Sequence, residues 1–366
     1  MRNPALVEVM RGGMVESRHH GAVAVVDTDG ATVFALGDVT QPVYPRSAVK
    51  AIQALPLIES GAADQYGFGD EELALACASH GGEPRHVEVA SRMLARLGLH
   101  GAALECGAHW PSHQASTQGL AREGGAPSAL HNNCSGKHAG FICVACAAGI
   151  DHRGYVAATH TVQREVRAAL EGLTGVGLSE DQCGIDGCSI PTFAVPLTAL
   201  AHAFARFATG HGLGDKRAKA AARLRAACAA QPYYVAGTGR FCTEIMTLFG
   251  ARALVKTGAE GVFCGALPEQ GLGIALKCED GATRAAEVAM AAMIARFLPL
   301  SGDERQKLDR FLRKELRNWN GIAVGGLRPA DALTVIPGEA EGRDPGPIAR
   351  PGLWVPGLPI ARRRRA

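Results

Sequence analysis

Apolar and polar positions follow two rhythms along the chain. Residues 20–37, HGAVAVVDTDGATVFALG, place apolar and small residues on both sides of Asp-Thr-Asp-Gly, which predicts a β-hairpin. The segment 44–61, YPRSAVKAIQALPLIESG, shifts to helical spacing and predicts a helix stopped by Gly61. LALACASHGGEP follows as an apolar run that ends in Ser79-His80-Gly81-Gly82. Pro84 then opens an amphipathic helix to Leu97, with Gly98 beyond its end. Further helices are predicted near 138–149, 159–172, 216–230 and 284–298. The pieces 251–258, 261–268 and 272–280 are short, strand-like and joined by glycine-containing turns, and read as an antiparallel meander.

Strands therefore fall at both ends of the chain and helices in the middle. That order predicts an α/β fold of the α+β kind: an antiparallel sheet built from both chain ends, flanked by helices, with a helical insertion. Alternating βαβ units fit it less well, and there is no internal repeat. After Arg328-Pro329 the composition changes, with 337–360 rich in Pro and Gly and ARRRRA closing the chain. The expectation is one folded unit over 1–329 and a disordered tail over 330–366.

Composition narrows the function classes. With 47% hydrophobic and 20% charged residues in 366, the chain reads as a globular enzyme. A net charge of +3 gives no reason to expect nucleic acid as a partner. No apolar run approaches the roughly 20 residues of a membrane span, and MRNPALVEVMRGG lacks the apolar core of a signal peptide. The expectation is a cytoplasmic protein with no membrane partner, whose eleven cysteines are buried thiols. The 30 arginines against eight lysines are informative. Where arginine serves almost everywhere, a remaining lysine is a candidate for losing its proton, which arginine cannot do. Lys50, Lys137 and Lys256 stand out because they lie among Gly, Ser, Cys and Thr.

Ser47 and Lys50 share one face at the start of a predicted helix. A desolvated lysine one turn from a serine can act as its base. The plain alternative is an N-cap serine and a surface lysine. Lys256-Thr257-Gly258 ends a late strand, and S-x-x-K followed by K-T-G is the pairing of serine β-lactamases and penicillin-binding proteins. Their third motif, Ser-x-Asn or Tyr-x-Asn, is missing, and HNNCSGKH, 131–138, stands in its place. There Cys134 and Lys137 are three apart, next to Ser135 and His138, and CGIDGCSIP later supplies Cys183, Asp186 and Cys188. Thiolates are zinc ligands, but with no C-x-x-C pair these cysteines also fit plain buried thiols.

YPRSAVKAIQALPLIESGA, ASHGGEPRHV, HNNCSGKHAGF, GIDGCSIPTFAVPL, VAGTGRFCTE and LVKTGAEGVFCGALPEQGLGIALK, in this order, resemble the Rhizobium etli-type (class 3) L-asparaginases from about residue 5 to 330. The resemblance implies a serine β-lactamase-like fold, a homodimer, and hydrolysis of L-asparagine to L-aspartate and ammonia. It implies two Ser-Lys tandems, Ser47 with Lys50 and Ser79 with Lys256, and a Zn2+ held by Cys134, Lys137 and Cys188. Asp186 and His138 would lie beside the metal and Cys242 near the active site.

On that reading Ser47 attacks the side-chain amide with Lys50 as base, and Ser79 with Lys256 relays protons; Ser79 is the alternative nucleophile. The zinc is expected to position substrate. Arg46 is the candidate for the substrate α-carboxylate, Asp186 or the zinc-site region for its ammonium, and Ser135, His138 and Cys242 complete the expected substrate-binding set. Two rivals remain: a serine acyl-enzyme acting on peptides or β-lactams, and a non-catalytic metal or redox sensor built on Cys134, Cys183 and Cys188.

Overall fold

The computed structural model describes residues 3–334. Its main sheet is antiparallel and runs Glu315–Arg317, Ala323–Pro329, Ala5–Arg11, Met14–Asp27, Leu272–Cys278, Val262–Leu267, Leu254–Thr257, with Thr32–Leu36 also paired to Met14–Asp27. Both chain ends thus meet in one sheet, and the junction is the pairing of Met14–Asp27 with Leu272–Cys278, Val25 opposite Ile274. The expected meander is present: Lys256 pairs with Cys264, and Ile274 with Gly265.

The predicted hairpin turns at Asp27, whose carboxylate accepts the Asp29 and Ala31 N–H groups at 3.0 and 2.8 Å. Its first strand starts earlier than the apolar pattern shows, because residues 14–18 are half-buried or exposed. The half-exposed Ala323–Pro329 strand escaped the pattern for the same reason. Helices Leu197–Thr209 and Thr283–Phe297 pack on the sheet, and Asp70–Ala76, Pro84–Arg96, Ser135–Ala147 and Asp215–Ala230 pack among themselves. Pro84–Arg96, Ser135–Ala147, Thr161–Thr174 and Asp215–Ala230 follow the predicted helices closely.

The helix predicted over 44–61 is broken. A 3-10 turn, Arg46–Val49, leads into Lys50–Gln53, and Leu55–Glu59 restarts around Pro56, which has no N–H to continue the first helix. The fold runs past 329: Ala330 N donates to Leu6 O, and Asp331–Thr334 adds one helical turn. The rest of the expected tail, 335–366, lies outside the described residues. No helix among the described residues is long and apolar enough to cross a membrane.

Candidate active site

The Ser47 turn is set by its neighbours. Pro45 precedes it, and Arg46 is held at φ 51, a left-handed conformation that costs a non-glycine residue about 1–2 kcal/mol. Arg46 is pinned by Asp186, whose Oδ1 accepts from Arg46 Nε at 2.7 Å and from the Gly187 N–H at 2.7 Å. Gly258 carries the other wall: a Cβ there would lie 2.8 Å from Pro45 O, so only glycine lets the Lys256-Thr257-Gly258 segment close on the Ser47 turn. Ser47 is half-buried, and its hydroxyl makes no hydrogen bond among the described residues. A cavity of about 600 Å³ is lined by Tyr44, Arg46, Gln182 and Ala194, and so borders the turn through Arg46.

Lys50 is fully buried. Its amine does not reach for Ser47. It donates to Ala78 O at 2.5 Å and to Ser79 Oγ at 3.0 Å, and lies 3.4 Å from Asn133 O and 3.1 Å from Cys134 Sγ. Lys256 meets the same Ser79 Oγ at 2.8 Å and Thr257 O at 2.9 Å. Of the two expected Ser-Lys pairs, the Ser79 hydroxyl meets both amines, while Ser47, on the 3-10 turn just before the helix of Lys50, is bonded to neither. Burial, together with the positive charge of Lys50, pulls the Lys256 amine down to about 7.

Cys134 caps the helix Ser135–Ala147, and Lys137 follows one turn in. Cys188 lies between the strands Cys183–Ile185 and Pro191–Phe193. Lys137 Nζ donates to Cys188 Sγ at 3.0 Å. Cys188, with the charges of Lys50 and Lys137, holds the Cys134 thiol well below its ordinary range despite burial, and Cys134 and burial push Cys188 up. Burial works against the Lys137 charge, but the two sulfurs and Asp186 outweigh it and raise that amine. Burial also opposes the Asp186 charge, while Lys137 and Arg46 hold its carboxyl low. No cluster of three His, Cys, Asp or Glu suited to a metal occurs among the described residues, so a metal here requires the lysine. The donor set fits zinc in chemistry: two sulfurs and an amine converge in a buried place. One residue on, His138 has Nδ1 on Tyr155 Oη at 2.6 Å and a buried Nε2 with no partner among the described residues.

Other predicted substrate contacts are placed differently. Ser135 is fully buried and its Oγ is 3.0 Å from His80 Nε2, so it faces the protein. Cys242, on the helix Phe241–Phe249, is buried against the Thr257 backbone near Lys256, and burial pushes its thiol up. Cys183 stands apart on its strand, half-buried. Sequence reasoning missed the carbonyls of Ala78 and Asn133, which take Lys50, and also Glu83. Only the clustering of His80, Gly81, Gly82 and Glu83 beside Ser79 hinted at the last.

Several solved structures are similar to the chain. A protein named Mglu is 15% identical, covering 77% of this chain and 68% of its own, with a TM-score of 0.43. A β-lactamase from Mycobacterium bovis is 14% identical over 76% and 95%, with a TM-score of 0.36. Simvastatin synthase from Aspergillus terreus is 11% identical over 75% and 93%, with a TM-score of 0.38. Likeness at this level assigns no activity and no site. No match was found among curated proteins. The L-asparaginase II family model, in contrast, matches residues 7–329. With nearly the whole described chain inside that match, the protein belongs to the L-asparaginase II family and is an amide-hydrolysing enzyme of the asparaginase type.

Proposed function

We propose that the enzyme hydrolyses L-asparagine through an acyl-enzyme on Ser47, with Lys50, Ser79 and Lys256 as a proton relay. The observation that carries this reading is the Ser79 hydroxyl held between two buried amines, at 3.0 and 2.8 Å. Ser79 is 7% exposed and committed to both lysines, whereas Ser47 is half-buried and its hydroxyl makes no hydrogen bond among the described residues. That division favours Ser47 as nucleophile and Ser79 as relay. Resting hydrogen bonds of catalytic groups often close only when substrate binds, so the open Ser47–Lys50 pair agrees with this reading.

Ser47 Oγ attacks the side-chain carbonyl carbon of asparagine, and its proton passes to Lys50 and onward through Ser79 to Lys256. Backbone N–H groups at the start of the Arg46–Val49 turn would suit the developing oxyanion. Collapse breaks the carbon–nitrogen bond, and the relay returns a proton so that ammonia leaves. Water then attacks the ester, the relay takes its proton, and Ser47 recovers its own as aspartate departs.

Arg46 and Asp186 form an ion pair, and an amino acid is a zwitterion. The α-carboxylate on Arg46 and the α-ammonium on Asp186 would replace one ion pair by two. Cys134, Lys137 and Cys188 would hold a zinc ion, with Lys137 as the neutral amine, so binding releases protons. The ion would supply positive charge for orienting substrate, because the serine already supplies the nucleophile. The reading includes a cytoplasmic homodimer, tested by sedimentation and cell fractionation. The functional test is ammonia release from asparagine with glutamine and a β-lactam in parallel. Release from asparagine alone agrees with the proposal, and a folded, zinc-supplemented enzyme that releases none overturns it.

A further inference from the structure

Glu83 ends the turn that begins with Ser79 and precedes the helix Pro84–Arg96. It is 6% exposed, and no lysine or arginine pairs with it among the described residues. Its nearest basic group is His86, and the His86 ring is neutral by geometry: Nδ1 accepts the Glu83 N–H at 3.2 Å, and burial holds its basicity down. The carboxylate is satisfied instead by one short segment, residues 233–238. Thr238 N donates to Oε1 at 2.8 Å, Thr238 Oγ1 to Oε2 at 2.6 Å, and Tyr233 Oη approaches Oε2 at 3.4 Å. Burial raises the Glu83 carboxyl, but the two Thr238 bonds prevail and keep it ionised.

The contact is built for closeness. Gly237 sits at φ 113, and a Cβ on it would lie 2.3 Å from Glu83 Oε1 and 3.4 Å from Gly81 N. The same segment seats Ser79, because Ser79 N donates to Val235 O at 2.9 Å. It also continues into the helix of Cys242, since Thr243 Oγ1 donates to Gly237 O at 2.7 Å. Behind Glu83, His86 stacks on His80 at 4.8 Å and on Tyr233 at 4.6 Å. An unpaired buried charge is a costly way to brace an ordinary turn. Here the braced turn is the backbone seat of the relay serine.

We infer that Glu83 is a positioning residue for this active site: its carboxylate clamps the 235–238 segment to the Ser79 turn and so holds the Ser79 hydroxyl between Lys50 and Lys256. The inference rests on Ser79 being the relay.

The test uses full-length enzyme carrying Glu83→Gln or Thr238→Val, with Ser79→Ala alongside, measuring melting temperature, kcat and KM for asparagine, and the pH dependence of kcat. Glu83→Gln keeps the shape and removes the charge, and Thr238→Val removes one donor. Both are expected to remain folded, to keep KM within about twofold, and to lose kcat on the order of tenfold or more, as misplacement of a reacting group does. The pH midpoint of kcat should also move, which a bracing role alone would not cause. Should Glu83→Gln not fold, Thr238→Val decides by the same criteria. Folded variants with wild-type kcat and pH midpoint, in a protein whose Ser79→Ala form loses that pH dependence, overturn the role of Glu83 alone. A Ser79→Ala enzyme that keeps the wild-type pH dependence overturns the relay reading itself.

Discussion

Lys50 and Lys256, far apart in the chain, direct their amines at one hydroxyl, that of Ser79, at 3.0 and 2.8 Å. Two like charges on one buried group cannot both be cheap, and Lys256 yields, its amine drawn down to about 7 by burial and by Lys50. The relay needs Lys256 without its proton. The kcat for asparagine should therefore rise through a midpoint near pH 7, and Ser79→Ala should flatten that rise. Steady-state ammonia release from pH 5 to 9 checks it.

The same group makes a stability prediction. Lys256 binds its proton more weakly in the folded state, at about 7, than its ordinary value of 10.5. Below pH 7 the folded protein carries the full cost of a buried charge, on the order of 5 kcal/mol. Between 7 and 10.5 the unfolded state binds more protons, so this contribution to stability improves as pH rises. Lys256→Met should abolish turnover yet melt no lower than wild type at pH 6. Its advantage should shrink toward pH 10, as read by calorimetry.

Arg46 carries backbone strain at φ 51, paired to Asp186. Arg46→Gly should relieve about 1 kcal/mol of that strain while removing the carboxylate anchor. The expected result is a small loss or gain in melting temperature with KM raised at least tenfold. Asp186→Asn should raise KM in the same direction, because the ammonium loses its partner.

The metal proposal depends on Lys137 shedding its proton. Lys137→Arg keeps the charge and cannot do so, and should leave the protein without zinc. Cys188→Ser should weaken binding, and wild type should release zinc as pH falls. Elemental analysis after dialysis reads all three. Ser47→Ala should keep its zinc while losing turnover; if it kept wild-type turnover, the serine assignment would fail.

Much of the scaffold was legible in the sequence, because buried helices such as Ser135–Ala147 and the strands of 254–278 are continuous apolar runs between glycine turns. The strands Ala5–Arg11 and Ala323–Pro329 were not predicted, since partly exposed strands lack that contrast. Pro56 broke a helix that periodicity read as one. The excess of arginine over lysine pointed to Lys50, Lys137 and Lys256, and all three are buried at the site. Their partners were not legible. Lys50 is three residues from Ser47 in the chain, yet its amine is taken by the carbonyl of Ala78 and the hydroxyl of Ser79. Spacing along a helix says which side chains share a face, not which distant loop supplies the acceptor. The Ser135 hydroxyl likewise meets His80, from another segment, which its spacing in the chain did not show.

The most direct test of the account is the site of the covalent intermediate. Enzyme quenched with acid during turnover of L-asparagine should carry the mass of one aspartyl group on the peptide containing Ser47, and the adduct should accumulate in the Ser79→Ala form. An adduct on Ser79, or a turning-over enzyme in which no adduct can be trapped in either form, would contradict it.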